Sequence, residues 1–237
     1  MDRLTLKQES KTFLNQHLQY SLLLFLISVL TATFVSKATN RIPIPIQMDP
    51  QVQVTISLAG LASIINWITL TSAKFVTLDN LRAKKVSGSP ISQQVTVFQG
   101  RYFWGTLGIT LLSAFYVFCW SLLLVIPGII KSYSYMQALN LYKDSVDAGQ
   151  PLGINEAITS SRQLMDGQKL NLFVLQLSFV FWWLLSIPTF GLSDLYVIPY
   201  YTYALQLFYL NLLAQRDGKP LHQALSKDYL PDPNDEL

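Results

Sequence analysis

The chain has 237 residues, of which 51% are hydrophobic and only 13% charged, with a formal charge of +3. A soluble domain carries about 25% charged residues, and the apolar residues here come in long blocks, which excludes an ordinary soluble fold. Lys and Arg sit mainly in connecting segments without forming a basic stripe, which speaks against nucleic-acid binding. The expected fold is all-α: a polytopic transmembrane helix bundle of about six spans with interfacial amphipathic helices. One transmembrane domain, 18–213, lies between an N-terminal interfacial segment, 1–17, and a polar tail, 214–237.

Residues 1–17 place Leu6, Ser10, Phe13, Leu14 and His17 at helical spacing, predicting a short helix on the membrane surface. Leu18–Val35 is the first span. A cleaved signal peptide is the competing reading, since Ser36-Lys37-Ala38 faintly resembles a small-x-small site. The length of the run, and Asp2 and Glu9 ahead of it, favour an anchor. Pro43, Pro45 and Pro50 then predict an extended loop of limited freedom. Val52–Ala73 is the second span, with Ala59 and Ser63 as a small-xxx-small face and Asn66 expected to bridge to a neighbouring helix.

Lys74–Arg101 is the most basic connector. Ser89 is expected to cap an interfacial helix beginning at Pro90, with Gln94, Val95, Phe98, Arg101 and Tyr102 along one side. The third apolar run, Trp104–Ile126, is broken by Pro127-Gly128, and two topologies compete there. Either the chain turns and Ile129–Tyr142 recrosses, giving six spans, or it stays outside, giving five. Cytoplasmic loops carry the excess of Lys and Arg. Six spans place fourteen of the seventeen inside, with Lys37 and Arg41 outside and Lys131 near the outer turn; five spans place eight inside and nine outside. The count favours six spans in a cell membrane, with both termini cytoplasmic. Its weak point is length, since residues 129–142 make a helix of about 21 Å against roughly 30 Å of hydrocarbon. A re-entrant hairpin satisfies the count equally well.

Residues 153–167 read as a cytoplasmic helix. Gly153 stands three residues before Glu156, as in a capping box with Gly at the cap, and Ile154, Ala157, Ile158, Ser161, Leu164 and Met165 form one face. Gly167 can end the helix in the left-handed conformation. Leu170–Ile187 crosses outward, a short turn follows, and Leu195–Leu213 returns with Pro199 inside it. Pro231 and Pro233 mark the polar tail as disordered.

The search for chemistry is mostly negative. His17 and His222 lie in opposite tails, Cys119 is the single cysteine, and no H-E-x-x-H occurs, so no metal site is expected. Gly100, Gly105 and Gly108 lack the Lys-Ser/Thr of a phosphate loop. Neither a cofactor nor an enzymatic activity is expected. The leads are polar residues of the membrane region. Lys131 and Asp194 are expected to pair near the outer interface, the alternative being that Lys131 snorkels to water alone. Pro127, Gly128 and Pro199 break helices; Glu156, Arg162 and Lys169 are candidate inner contacts; Tyr200, with Tyr133, Tyr135, Tyr201 and Tyr203, can line a polar crevice.

Four motifs follow one another: L-L-L-V-I-P-G-I-I-K-S-Y-S-Y at 122–135, E-A-I-T-S-S-R-Q-L-M-D-G-Q-K at 156–169, L-F-V-L-Q-L-S-F-V-F-W-W-L-L at 172–185, and V-I-P-Y at 197–200 with F-Y at 208–209. Together they resemble domain-of-unknown-function family 975 (DUF975), bacterial integral membrane proteins, over roughly residues 95–210. Gly153 stands where a capping Ser is usual, and Asp166-Gly167-Gln168-Lys169 where a more basic x-G-H-K is expected. A more distant likeness is to the membrane domain fused to some glycerophosphodiester phosphodiesterases; no such soluble domain is present, so that activity is not carried over. The resemblance implies location and fold. The expected role is that of a non-enzymatic accessory or scaffold protein acting on the lipid bilayer or other membrane proteins, in export, immunity or envelope maintenance. A small-solute or lipid transporter is the alternative.

Overall fold

The computed structural model describes residues 3–39, 50–186, 188–189 and 191–218. The proline-rich loop and the polar tail beyond Gly218 lie outside them. All regular structure among the described residues is helical: α1 (Arg3–Gln16), α2 (Leu18–Thr39), α3 (Pro50–Ala83), α4 (Gly100–Leu123), α5 (Val125–Tyr135), α6 (Ala138–Asp147), α7 (Ile154–Leu164), α8 (Lys169–Leu177), α9 (Val180–Ser186) and α10 (Asp194–Arg216), with a 3-10 stretch at Ser92–Phe98.

The core is organised around α10. Its residues are apolar on every side, which suits a helix enclosed by others, and Tyr203, Tyr209, Leu210 and Leu213 are fully buried. Against it pack Leu6 and Leu14 of α1, Leu78 and Leu81 of α3, Leu141 of α6, Leu164 and Met165 around the end of α7, and Leu172 and Leu175 of α8. The spacing of Leu6, Ser10 and Leu14 thus marks a face docked on protein: all three are buried, and Ser10 Oγ donates to the Leu6 carbonyl. Lys7 reaches the break between α8 and α9, where its Nζ donates to the Ser178 carbonyl at 3.3 Å and lies 4.8 Å from the Phe179 ring centroid. Burial there pulls the Lys7 ammonium below its ordinary range.

Helices α2 and α3 pair through polar contacts in apolar surroundings. Ser28 Oγ donates to Thr69 Oγ1 at 2.8 Å, and Thr31 Oγ1 to Asn66 Oδ1 at 3.4 Å, so Asn66 bridges as expected. The small face is shifted: Ala59 and Ala62 are buried, while Ser63 is exposed and bonds back to the Ala59 carbonyl. The stretch after Pro90 also departs from expectation. It winds as a 3-10 helix, whose three-residue turn brings Gln94 and Val97 to one side. These two are buried and tied to α2 and α3 by Gln94 Nε2 to the Leu23 carbonyl (2.7 Å) and Val97 N to Ser72 Oγ (3.1 Å), leaving Val95 and Phe98 exposed.

Among the described residues, four helical stretches are long and apolar enough to cross a membrane: Leu18–Lys37, Leu58–Ala83, Gly100–Leu123 and Lys169–Ser186. The chain doubles back, but at Leu124 rather than at Pro127-Gly128, which lie inside α5 and do not break it. Leu124 is extended (φ −158°, ψ 141°). The closure is tight, because a Cβ on Gly128 would fall 2.2 Å from Ser121 Oγ and 3.0 Å from Ser121 Cα. The return leg is not the single helix 129–142. It divides into α5 and α6, and α6 buries Asn140, Lys143, Asp144 and Ser145 within the protein, a composition unsuited to lipid contact. Nor is α10 among the four; its Gln206 and Asn211 are buried against other helices.

Candidate functional site

Where α3, α4, α6 and α10 meet, charged side chains are drawn out of water. Arg82 binds Asp144 through two parallel bonds, Nη1–Oδ1 and Nη2–Oδ2, each 2.7 Å, and Tyr209 Oη donates to Asp144 Oδ2 at 2.6 Å. Both side chains of the ion pair are 5% exposed or less. One turn away, Lys143 Nζ contacts Asp79 Oδ1 at 2.5 Å and Asp147 Oδ2 at 2.6 Å. Asp147 also accepts from Tyr102 Oη and lies 3.5 Å from Arg101 Nη2. Burial disfavours the Lys143 ammonium, but the Asp79 and Asp147 carboxylates outweigh it and hold its pKa above the ordinary lysine range. Burial likewise pushes Asp147 up, and Lys143, Tyr102 and Arg101 together bring it below the ordinary carboxylate range. Three cations thus meet three carboxylates, and the cluster carries no net charge.

Sequence reasoning missed this cluster, having treated Arg82, Arg101 and Lys143 as loop charges. The available signals were the four-residue spacing of Lys143 and Asp147 on one helix face and Asp79 and Arg82 near the end of an apolar span. Their pairing across more than sixty residues was not visible. The cluster serves to fix α6 against α3 and α10, and the neighbouring α7 is placed through Ser161. Its Oγ donates to the Ser134 carbonyl (2.8 Å) and accepts from Gln137 N (3.2 Å).

So positioned, α5, α7 and the start of α8 enclose a recess of about 280 Å³ lined by Lys131, Ser134, Thr159, Arg162, Gln163, Asp166 and Lys169. Three residues singled out in the sequence, Lys131, Arg162 and Lys169, therefore come together. The only acidic wall is Asp166, 3.8 Å from Lys169, so two positive charges remain in excess. The same helices also expose apolar residues: Ile126, Ile129 and Ile130 on α5, and Leu170 and Phe173 on α8.

The other candidates are placed elsewhere. Lys131 and Asp194 do not pair. The Lys131 ammonium lies 4.7 Å from the Trp120 ring centroid, across the α4–α5 hairpin, whereas Asp194 stands in the first turn of α10, where a carboxylate suits the helix dipole. The expectation failed because it set Lys131 beside an outer turn and Arg162 and Lys169 inside, whereas one recess holds all three. Glu156 is a cap: its Oε2 accepts from Gly153 N at 2.7 Å. Gly167 adopts φ +69°, as its role in ending the helix requires. Pro199 is accommodated inside α10, and Tyr200 packs on Phe179 and donates to the Lys7 carbonyl at 3.3 Å. Of the expected tyrosine crevice, Tyr133 and Tyr201 meet at Gln176 (2.6 and 2.7 Å). Tyr135 and Tyr203 belong to separate parts of the core. Among the described residues, no group of His, Cys, Asp and Glu is arranged to hold a metal ion.

The turn into α5, then α7, α8 and α10, carry the four motifs in that order. Residues 122–216 match the family described as Protein of unknown function (DUF975). The DUF975 segment contains every residue lining the recess and, from the charge cluster, Lys143, Asp144, Asp147 and Tyr209. Asp79, Arg82, Arg101 and Tyr102 come from the preceding part of the chain. No curated protein and no solved structure matches the chain. The likeness to phosphodiesterase membrane domains has no support, and DUF975 brings no established activity.

Proposed function

We propose that this protein is a non-enzymatic component of the cell membrane that acts through lipid contacts, holding an anionic phospholipid headgroup in the recess of α5, α7 and α8. The observation that carries the reading is the presence of two opposite surfaces on the same helices. Lys131, Arg162 and Lys169 line one polar recess with Thr159 as a hydroxyl donor, and the helices α5 and α8 that form it also expose Ile126, Ile130, Leu170 and Phe173. A phosphate diester needs charge and donors at its head and apolar surface along its chains, and basic pockets between membrane helices take such headgroups. Arg162 suits a phosphate by its planar fork, and lysines add point charge.

Protein purified in mild detergent from a membrane of mixed lipids is expected to retain phosphatidylglycerol or cardiolipin in excess over phosphatidylethanolamine. The variant K131Q/R162Q/K169Q is expected to lose that enrichment by about a hundredfold, since three basic side chains are surrendered at on the order of 1 kcal/mol each. Equal enrichment in a variant that unfolds at the wild-type temperature rejects the reading.

The orientation we favour puts both termini in the cytoplasm. Its support is the basic connector after α3, where Lys84 and Lys85 are exposed. In a Cys119→Ala background, a cysteine introduced at exposed Ser87 is expected to resist an impermeant thiol reagent on intact cells and to react after lysis. Ready reaction on intact cells reverses the orientation.

A further inference from the structure

A second polar space lies between α3, α6 and α10, separate from the recess. It has a volume of about 40 Å³ and is lined by Thr71, Lys74, Gln137, Asn140, Thr202 and Gln206, closed by Phe75, Met136, Leu139 and Leu205. Lys74 is its one charged residue, partly buried within the membrane-spanning part of α3. A charge in that position costs about 2.5–3.5 kcal/mol on insertion scales unless something compensates it. No carboxylate does so among the described residues. The nearest acidic side chain on the same helix, Asp79, is bound by Lys143, Asp144 is bound by Arg82 and Tyr209, and Asp147 is bound by Lys143, Arg101 and Tyr102. The cluster is already balanced, and Lys74 is a positive charge beyond it.

A second observation comes from the opposite wall. Gln206 is 2% exposed, and its Oε1 has no hydrogen-bond partner, while its Nε2 reaches Asn140 Oδ1 at 3.4 Å. A buried amide oxygen without a donor costs about 1–3 kcal/mol, and the same cavity offers the hydroxyls of Thr71 and Thr202. A water needs only about 10–15 Å³ of such space, so the cavity has room for a monoatomic ion and a bridging water, and none for a lipid phosphate.

We propose that this cavity is a binding site for a small monovalent anion of chloride size. The Lys74 ammonium supplies the charge, the Thr71 and Thr202 hydroxyls donate to the anion, and a water donates to Gln206 Oε1. The site is independent of the headgroup recess, since it shares no residue with it.

The test uses the full chain in detergent, with chloride or bromide exchanged for gluconate at constant ionic strength. Gluconate is too large to enter. Chloride at about five times its dissociation constant is expected to raise the unfolding midpoint by about 2–4 °C, the shift that about 1 kcal/mol of linkage gives a chain of this size. The rise is expected to follow the logarithm of chloride concentration above the dissociation constant, and to be absent in Lys74→Met. Should K74M fail to fold, Gln206→Leu keeps the lysine and fills the cavity, and is expected to weaken the apparent chloride affinity at least tenfold. A midpoint indifferent to anion identity in the wild type overturns the proposal. So does an undiminished chloride response in either variant.

Discussion

Replacing Asp144 with Ala is expected to cost about 3–5 kcal/mol of stability, the largest effect of any single change in this protein. The reason is the asymmetry of a buried ion pair. Arg82 and Asp144 are nearly inaccessible to solvent, and each satisfies the other by two bonds of 2.7 Å. Without the carboxylate, Arg82 keeps its charge in a place where nothing replaces water, and Tyr209 loses the acceptor for its buried hydroxyl. Removing both charges together, as R82M/D144M, is expected to be much milder than D144A alone, because an apolar pair of similar volume leaves no buried charge unmatched. Denaturant titration of the purified variants provides the comparison. If D144A lies within about 1 kcal/mol of wild type, a magnitude typical of exposed pairs, the pair is not the clamp its geometry indicates.

Gly105→Val is expected to lower stability by about 1–3 kcal/mol through overpacking. A Cβ at this position would stand 2.0 Å from Cζ and 2.1 Å from the hydroxyl oxygen of Tyr142. The ring cannot swing freely away: Tyr142 is 7% exposed, and its hydroxyl donates to the Arg101 carbonyl at 3.3 Å. Displacing it separates α4 from α6 and disturbs the helix that carries Lys143, Asp144 and Asp147. Valine at Gly149 serves as a matched comparison of strain without crowding, since Gly149 has φ +79° and open space around it. A thermal midpoint for G105V equal to wild type means that α6 is free to retreat from α4.

These two sites show what a single sequence reveals and what it withholds. Features set by neighbours along one helix were legible. The helical spacing of Leu6, Ser10 and Leu14, the face of α7 apart from exposed Ile154, the Glu156 cap and the left-handed Gly167 all follow from local geometry. What the first of these faces meets was misread, since α1 docks on α10 rather than on the membrane surface. The glycines at 105 and 108 were noticed, but only as a failed phosphate loop. Their actual use, close approach of Tyr142 and Ile154 to α4, depends on helices more than thirty residues away. The same distance hides Arg82–Asp144. The Lys131–Asp194 pair failed for a related reason: counting spans assigns residues to two sides, and that count required residues 129–142 to recross. Once α5 and α6 divide the return leg, Lys131 joins Arg162 and Lys169, leaving Asp194 to its own helix end.

The position of α10 in the chain bears on biogenesis. It shares one core cluster with side chains of α1, α3, α6 and α8, and it follows all of them in order of synthesis. Until the ribosome has passed Ala214, Leu6, Leu78, Leu141 and Leu172 lack the α10 side chains that join them in one core, whereas α2–α3 and α4–α6–α7 already have clusters of their own. Closure of that core therefore waits on α10.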